Sequence, residues 1–275
     1  MKQRFITAGI GFVLFAVIML FFDTLIFNAA ISVLSILAAY ELLNATKCAK
    51  NKTLFVVALL LAGIIPFLRI DVLKDYTIVI LCFCALVIFT IMLFSRKKTT
   101  FEDVAKIVLI STFFPFALTS LIYMRDIYGY TKGIYYVMLV FAVSWGSDGG
   151  AYFVGRFLGK RKLAPDISPN KTIEGFVGGI FSSALIVSAY TGVFILYNNY
   201  VGQTFSVNWI GLIVFAMIGS VVSVLGDLTA SLIKREFKIK DFGKIMPGHG
   251  GVVDRFDSVF FVSPFLLMVL SVLTV

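Results

Sequence analysis

Long apolar runs, separated by short polar, Gly-containing or Pro-containing stretches, dominate the chain. They fall at roughly 5–22, 24–44, 53–70, 76–95, 104–124, 132–153, 173–198, 207–232 and 255–275. About 20 mostly apolar residues carry a helix across a bilayer, so the pattern predicts about nine transmembrane helices. The third run is the weakest, because Pro66 and Arg69 shorten its clean apolar stretch. Barrel strands are about 10 residues long and alternate polar with apolar positions. These Leu-, Ile- and Phe-rich runs do neither, which excludes a β-barrel. The predicted fold class is an all-α polytopic membrane protein.

Composition sharpens this. With 60% hydrophobic and 14% charged residues, a water-soluble fold could not hide its apolar surface. Lys and Arg alternate from side to side with each crossing. One side carries Lys2, Arg4, Lys47, Lys50, Lys52, Arg96, Lys97, Lys98, Lys106, Arg156, Lys160, Arg161, Lys162, Lys171 and the group from Lys234 to Arg255. The other carries only Arg69, Lys74, Arg125 and Lys132, so 20 of the 24 basic residues share a side. By the positive-inside rule that side is cytoplasmic. The N-terminus is then cytoplasmic, the C-terminus outside, and the location a bacterial-type inner membrane. The first run lacks a small-residue cleavage site and is read as a retained helix. Topology and contact with anionic lipid account for much of the net charge of +9 without a nucleic-acid partner. Cys48, Cys82 and Cys84 are read as packing residues, since positions 82 and 84 point to different faces of an apolar helix.

The chain divides near residue 130. Residues 1–130 read as scaffold helices almost free of intramembrane charge, and residues 131–275 as a catalytic region with two long cytoplasmic loops. No inverted repeat relates the halves.

Candidate chemistry begins with Asp148 in AVSWGSDGGAYFVGR, where a carboxylate in apolar surroundings faces either a cavity or a partner on a neighbouring helix. The following loop, GRFLGKRKLAPDISPNKTIEG, places Ser168, Pro169, Lys171, Thr172 and Glu174 in a restricted polar turn able to set a Lys against a phosphate. In SVLGDLTASLIKRE, helical spacing puts Asp227, Ser231, Lys234 and Arg235 on one face, one carboxylate deep and two cations toward the cytoplasm. That layout suits a metal ion under a polyphosphate, or an acid-base ladder at a helix end.

The stretch SLIKREFKIKDFGKIMPGHGGVVDRFD carries the densest signal. Its GHGG segment supplies flexible backbone around His249, the single histidine of the chain. Asp254 and Asp257, three apart, are expected on one helical face at the start of the ninth span, with Arg255 between them. Carboxylates are hard oxygen ligands for Mg²⁺, which binds through one or two protein acids together with substrate phosphates. Lys and Arg neutralise the remaining phosphate charge.

The run S-x-x-K-R-x-x-x-x-K-D-x-G-x-x-x-P-G-H-G-G-x-x-D-R-x-D, from Ser231 to Asp257, resembles the signature of the phosphatidate cytidylyltransferases (CDP-diacylglycerol synthases). The upstream segments D-x-G-A-Y-x-x-G-R and K-L-A-P-x-x-S-P-N-K-T-x-E-G are similar to that family's second block. The resemblance implies Mg²⁺-dependent attack of a phosphatidate oxygen on the α-phosphorus of CTP, with release of pyrophosphate. It implies metal binding by Asp227 and Asp254, with Asp148 and Asp257 completing the acidic set and a monovalent cation such as K⁺ beside it. Lys171, Ser231, Lys234, Arg235, Asp241 and Arg255 would meet substrate, Lys240 would act on the phosphates, and His249 would sit at the nucleotide or phosphate end. A homodimer is also implied. Two positions depart from the pattern: Gly149 replaces a common hydroxyl residue, and Ala230 a common acid.

Three rivals fit less well. An ion-coupled transporter using Asp148 and Asp227 as a relay needs polar groups on both sides, and the stretch near 198–208 has no charge. A CDP-alcohol phosphotransferase needs a closely spaced Asp series that is missing. A non-catalytic scaffold leaves the His-Gly-Gly and Asp-Arg-x-Asp loop unexplained.

Overall fold

The computed structural model describes residues 2–48, 51–95, 99–246, 248 and 250–273. Helices form in all nine apolar runs: α1 (Lys2–Leu20), α2 (Leu25–Ala45), α3 (Lys52–Ile64), α4 (Thr77–Phe94), α5 (Phe101–Leu158), α6 (Ile173–Tyr200), α7 (Trp209–Glu236), the single turn α8 (Val253–Phe256) and α9 (Val259–Leu273). Five apolar stretches, those of α2, α4 with its preceding turn, α5, α6 and α7, are long enough to cross a membrane. Those of α1, α3 and α9 are shorter. This is an all-α, multi-pass membrane architecture. The face of α4 fits it: Ile78 is 75% exposed and Leu86 67%, apolar surface that lipid covers at no cost and water does not.

α5 carries two of the predicted runs. It is broken at Gly129, whose φ of 73° and ψ of −176° lie in a region essentially reserved for glycine. Gly129→Ala is therefore expected to destabilise the fold by about 1–3 kcal/mol, read as a lowered detergent-solubilised melting temperature with activity per folded molecule retained.

The chain forms two compact units, Met1–Tyr123 with Glu236–Phe256, and Met124–Arg235 with Asp257–Val275. The signature loop after α7 thus belongs to the same unit as the N-terminal helices. In that unit α2 packs against α3, and Ala38, Ala39, Leu42, Leu54, Ala58 and Ala62 of the two helices are buried. Pro66 interrupts the third run, expected over 53–70: α3 ends at Ile64 and a 3₁₀ turn at Ile65–Phe67 follows. Two side chains of α2 cover carbonyls there: the Ser32 hydroxyl donates to Gly63 (2.7 Å) and the Asn28 amide to Pro66 (2.9 Å). Both polar groups are thereby satisfied inside an apolar setting.

The second unit is stitched by small polar residues between helices. Ser147 and Ser220 hydroxyls meet at 2.7 Å, Ser183 donates to the Ala216 carbonyl at 3.2 Å, and Tyr135 meets Thr191 at 2.9 Å. Small side chains permit close helix approach in lipid, and such bonds replace the missing hydrophobic drive.

Three expectations are corrected. The loop before α6 contains an antiparallel hairpin, β1 (Lys162–Ala164) and β2 (Ser168–Thr172), so the fold has a short strand pair where none was predicted. The ninth span does not begin as one continuous helix, because a turn at Asp257 and Ser258 separates α8 from α9. Cys48 is buried but Cys82 is exposed on α4, so internal packing does not explain it.

Candidate active site

The second unit gathers most of the polar residues that the sequence singled out. α7 starts at an Asn208 cap, whose side-chain oxygen accepts from the Gly211 amide (3.1 Å). It ends with Lys234 and Arg235 in the last turn, where cations complement the helix dipole. Two turns earlier, Asp227 lies partly buried, and the Ser231 hydroxyl one turn on donates to its Oδ1 at 3.4 Å.

Lys171 reaches Asp227 from β2. Its Nζ lies 2.6 Å from Oδ2, with the side chains 22% and 26% exposed. The hairpin holds Lys171 there through ties at both ends. The guanidinium Nε of Arg235 donates to the Ile167 carbonyl at the hairpin turn (3.1 Å). The Thr172 hydroxyl oxygen caps α6 by accepting from Gly175 (3.1 Å). The Glu174 carboxylate accepts from the amides of Lys160 (3.0 Å) and Arg161 (3.1 Å). The hairpin thus presents one ammonium group from a fixed backbone.

Asp148 on α5 accepts from the Ser258 hydroxyl at 3.3 Å, and the same hydroxyl lies 3.2 Å from the Ser223 carbonyl. Asp257, in the turn before α9, accepts from the Ser258 amide at 2.8 Å. The charges of Asp227, Asp148 and Lys234 all act on Asp257. Asp227 and Asp148 thus each lie in electrostatic range of Asp257, as does Lys234, while Lys171 pairs with Asp227.

The first unit holds the rest. Asp254 in α8 is partly buried, and its Oδ2 accepts from the amides of Phe242 (2.9 Å) and Gly251 (3.0 Å). Lys240, Asp241 and Arg255 are exposed. His249 lies outside the described residues. The expected shared helical face of Asp254 and Asp257 is not found: Asp254 stands on the single turn α8, whereas Asp257 lies in the turn after it. Two further residues were missed in the sequence. Ser258 links Asp148 to the α7 backbone, and no pattern distinguishes it from other serines. Glu41 is the only charged residue in the apolar run 25–45, a signal that intramembrane charge rules could have caught.

Among the described residues, no three His, Cys, Asp or Glu side chains converge as a ready-made metal cage. The donors present are hard carboxylate oxygens. They fit a divalent cation that binds few protein ligands and completes its shell with water and phosphate, and not a site built from protein alone.

Fold and site together define a multi-pass helical membrane protein with a carboxylate–ammonium cluster among its polar residues. The chain belongs to the cytidylyltransferase family, whose model it matches over residues 2–273. It is 34% identical to the phosphatidate cytidylyltransferase of Bacillus subtilis (strain 168), across 98% of both chains. It is 35% identical to the phosphatidate cytidylyltransferases of Staphylococcus haemolyticus and Staphylococcus aureus (strain COL), across 98% of this chain and 99% of each of those.

Proposed function

We propose that the chain transfers the cytidylyl group of CTP to phosphatidate at the cytoplasmic membrane face, forming CDP-diacylglycerol and pyrophosphate in phospholipid synthesis. A phosphatidate oxygen bonds to the α-phosphorus of CTP as the α–β bridging P–O bond breaks. Pyrophosphate leaves with that electron pair. The nucleophile is already anionic, so no general base is needed, and catalysis reduces to alignment and charge stabilisation.

The observation that carries this reading is the Lys171–Asp227 pair, with Lys234 and Arg235 two turns further along α7. Lys171, Ser231, Lys234 and Arg235 hold phosphate oxygens, with Lys240, Asp241, Arg255 and His249 of the signature loop meeting the remainder of the substrate. Carboxylates drawn from Asp148, Asp227, Asp254 and Asp257 would hold Mg²⁺, with a monovalent cation such as K⁺ nearby. When bound, the divalent ion neutralises phosphate charge and polarises the reacting phosphorus. Ser258 fixes the Asp148 carboxylate, and Glu174 and Arg235 keep Lys171 in place.

The membrane arrangement completes the proposal: nine crossings of an inner membrane, N-terminus cytoplasmic and C-terminus outside, scaffold in residues 1–130, catalysis in residues 131–275, and a homodimeric assembly.

Purified protein is expected to release labelled pyrophosphate from CTP only when phosphatidate and Mg²⁺ are both present. Chelation of the metal should lower the rate by at least about 100-fold, since it removes the main stabiliser of phosphoryl charge. Release without lipid, or none from folded protein across divalent and monovalent cations, would overturn the reading.

A further inference from the structure

Glu41 has no part in the chemistry described above, yet it is one of the most deeply buried ionisable groups among the described residues, 2% exposed near the end of α2. Burying a carboxylate in an apolar helix is expensive unless its oxygens are matched by donors. Both are matched. Oε1 accepts from the Val252 amide and Oε2 from the Val253 amide, each at 3.0 Å. Val253 opens the single turn α8 and Val252 immediately precedes it, where N–H groups have no partner within the helix. The preceding amide, Gly251, donates to Oδ2 of Asp254. Three consecutive amides are thus captured by two carboxylates, one reaching from α2 and the other belonging to the loop.

The loop is shaped around this contact. A Cβ at Gly251 or at Gly243 would run into the Glu41 carboxyl group. Glycine at 251 is therefore required by close approach to Glu41, in addition to any freedom it gives the GHGG segment.

We propose that Glu41 is a positioning residue: by holding the amides of Val252 and Val253 it fixes the backbone from which Asp254 is presented. This rests on the reading of Asp254 as part of the transfer site. A carboxylate suits the task because both oxygens accept. An amide at position 41 offers one acceptor and turns an N–H₂ donor toward the other backbone N–H.

The test compares wild type, Glu41→Gln and Glu41→Asp as purified full-length protein. Amide hydrogen exchange of the peptide spanning 250–256 is the first readout, and the Mg²⁺ concentration for half-maximal pyrophosphate release is the second. In Glu41→Gln, exchange at 252–253 should rise at least about 10-fold while α2 and α3 keep their protection. The Mg²⁺ midpoint should rise about 10-fold and kcat fall about 10- to 100-fold, the range for residues that orient metal-binding groups. KM for CTP at saturating metal should change by less than about 3-fold, because no substrate contact is removed. Glu41→Asp keeps two acceptors on a shorter stem and should recover part of each loss.

Unchanged exchange at 252–253 would overturn the proposal. So would exchange rising across α2 and α3 together, with kcat lowered at an unchanged Mg²⁺ midpoint, since that is the mark of general destabilisation. If Glu41→Gln does not yield folded protein, the same readouts on Glu41→Asp decide. Wild type lacking transfer activity would sink the functional reading alone, because the exchange comparison still judges the hold of Glu41 on the loop.

Discussion

Asp227→Asn is expected to reduce cytidylyl transfer by at least about 10³-fold, the scale seen when a preorganised electrostatic element is removed from a site of developing charge. The asparagine is nearly isosteric, so the Ser231 hydroxyl keeps an acceptor at Oδ1. What disappears is the charge that holds the Lys171 ammonium at 2.6 Å and would attract a cation. The pair is only partly buried, so its loss should cost about 1–3 kcal/mol, between the values for exposed and fully buried pairs. Activity and melting temperature measured together separate the two effects. A variant melting close to wild type while retaining more than about a tenth of its rate would contradict a central role for Asp227.

Asp254→Asn should be nearly as damaging to activity, again about 10³-fold, with little change in stability. Oδ2 of Asp254 holds two amides, Phe242 and Gly251, and an asparagine oxygen can accept from both. The substitution therefore keeps the loop and removes the charge. Asp254→Ala removes both and leaves two partly buried amides unmatched, so it should also lower stability by about 1–3 kcal/mol per unmatched group. Equal melting temperatures for Asn and wild type, with a clear drop for Ala, would separate the two duties of this carboxylate. Equal rates for Asn and wild type would assign Asp254 to loop structure alone.

The helical membrane architecture was legible in the sequence because lipid offers a backbone no hydrogen-bond partner. Every spanning segment must satisfy itself, and its apolar run stands out. The alignment of Asp227, Ser231, Lys234 and Arg235 was legible for a related reason: helical periodicity is local, and α7 runs unbroken through all four. The same rule misplaced Asp254 and Asp257, because it presumes a continuous helix and the chain turns between α8 and α9. The notion of an N-terminal scaffold almost free of intramembrane charge likewise passed over Glu41.

Only tertiary structure decided the rest. No spacing rule brings Lys171 to Asp227, sets Arg235 on a carbonyl 68 residues away, or places Glu41 on amides 211 and 212 residues further along. Such contacts depend on how separate elements meet. A hairpin must form before Lys171 has a direction, and α2 must dock on a glycine-lined loop before the Glu41 carboxylate finds its donors. The sequence determined which residues carry charge and which segments seek lipid; the folded chain determined which charges satisfy one another, because only there are the alternatives of water and unpaired burial removed.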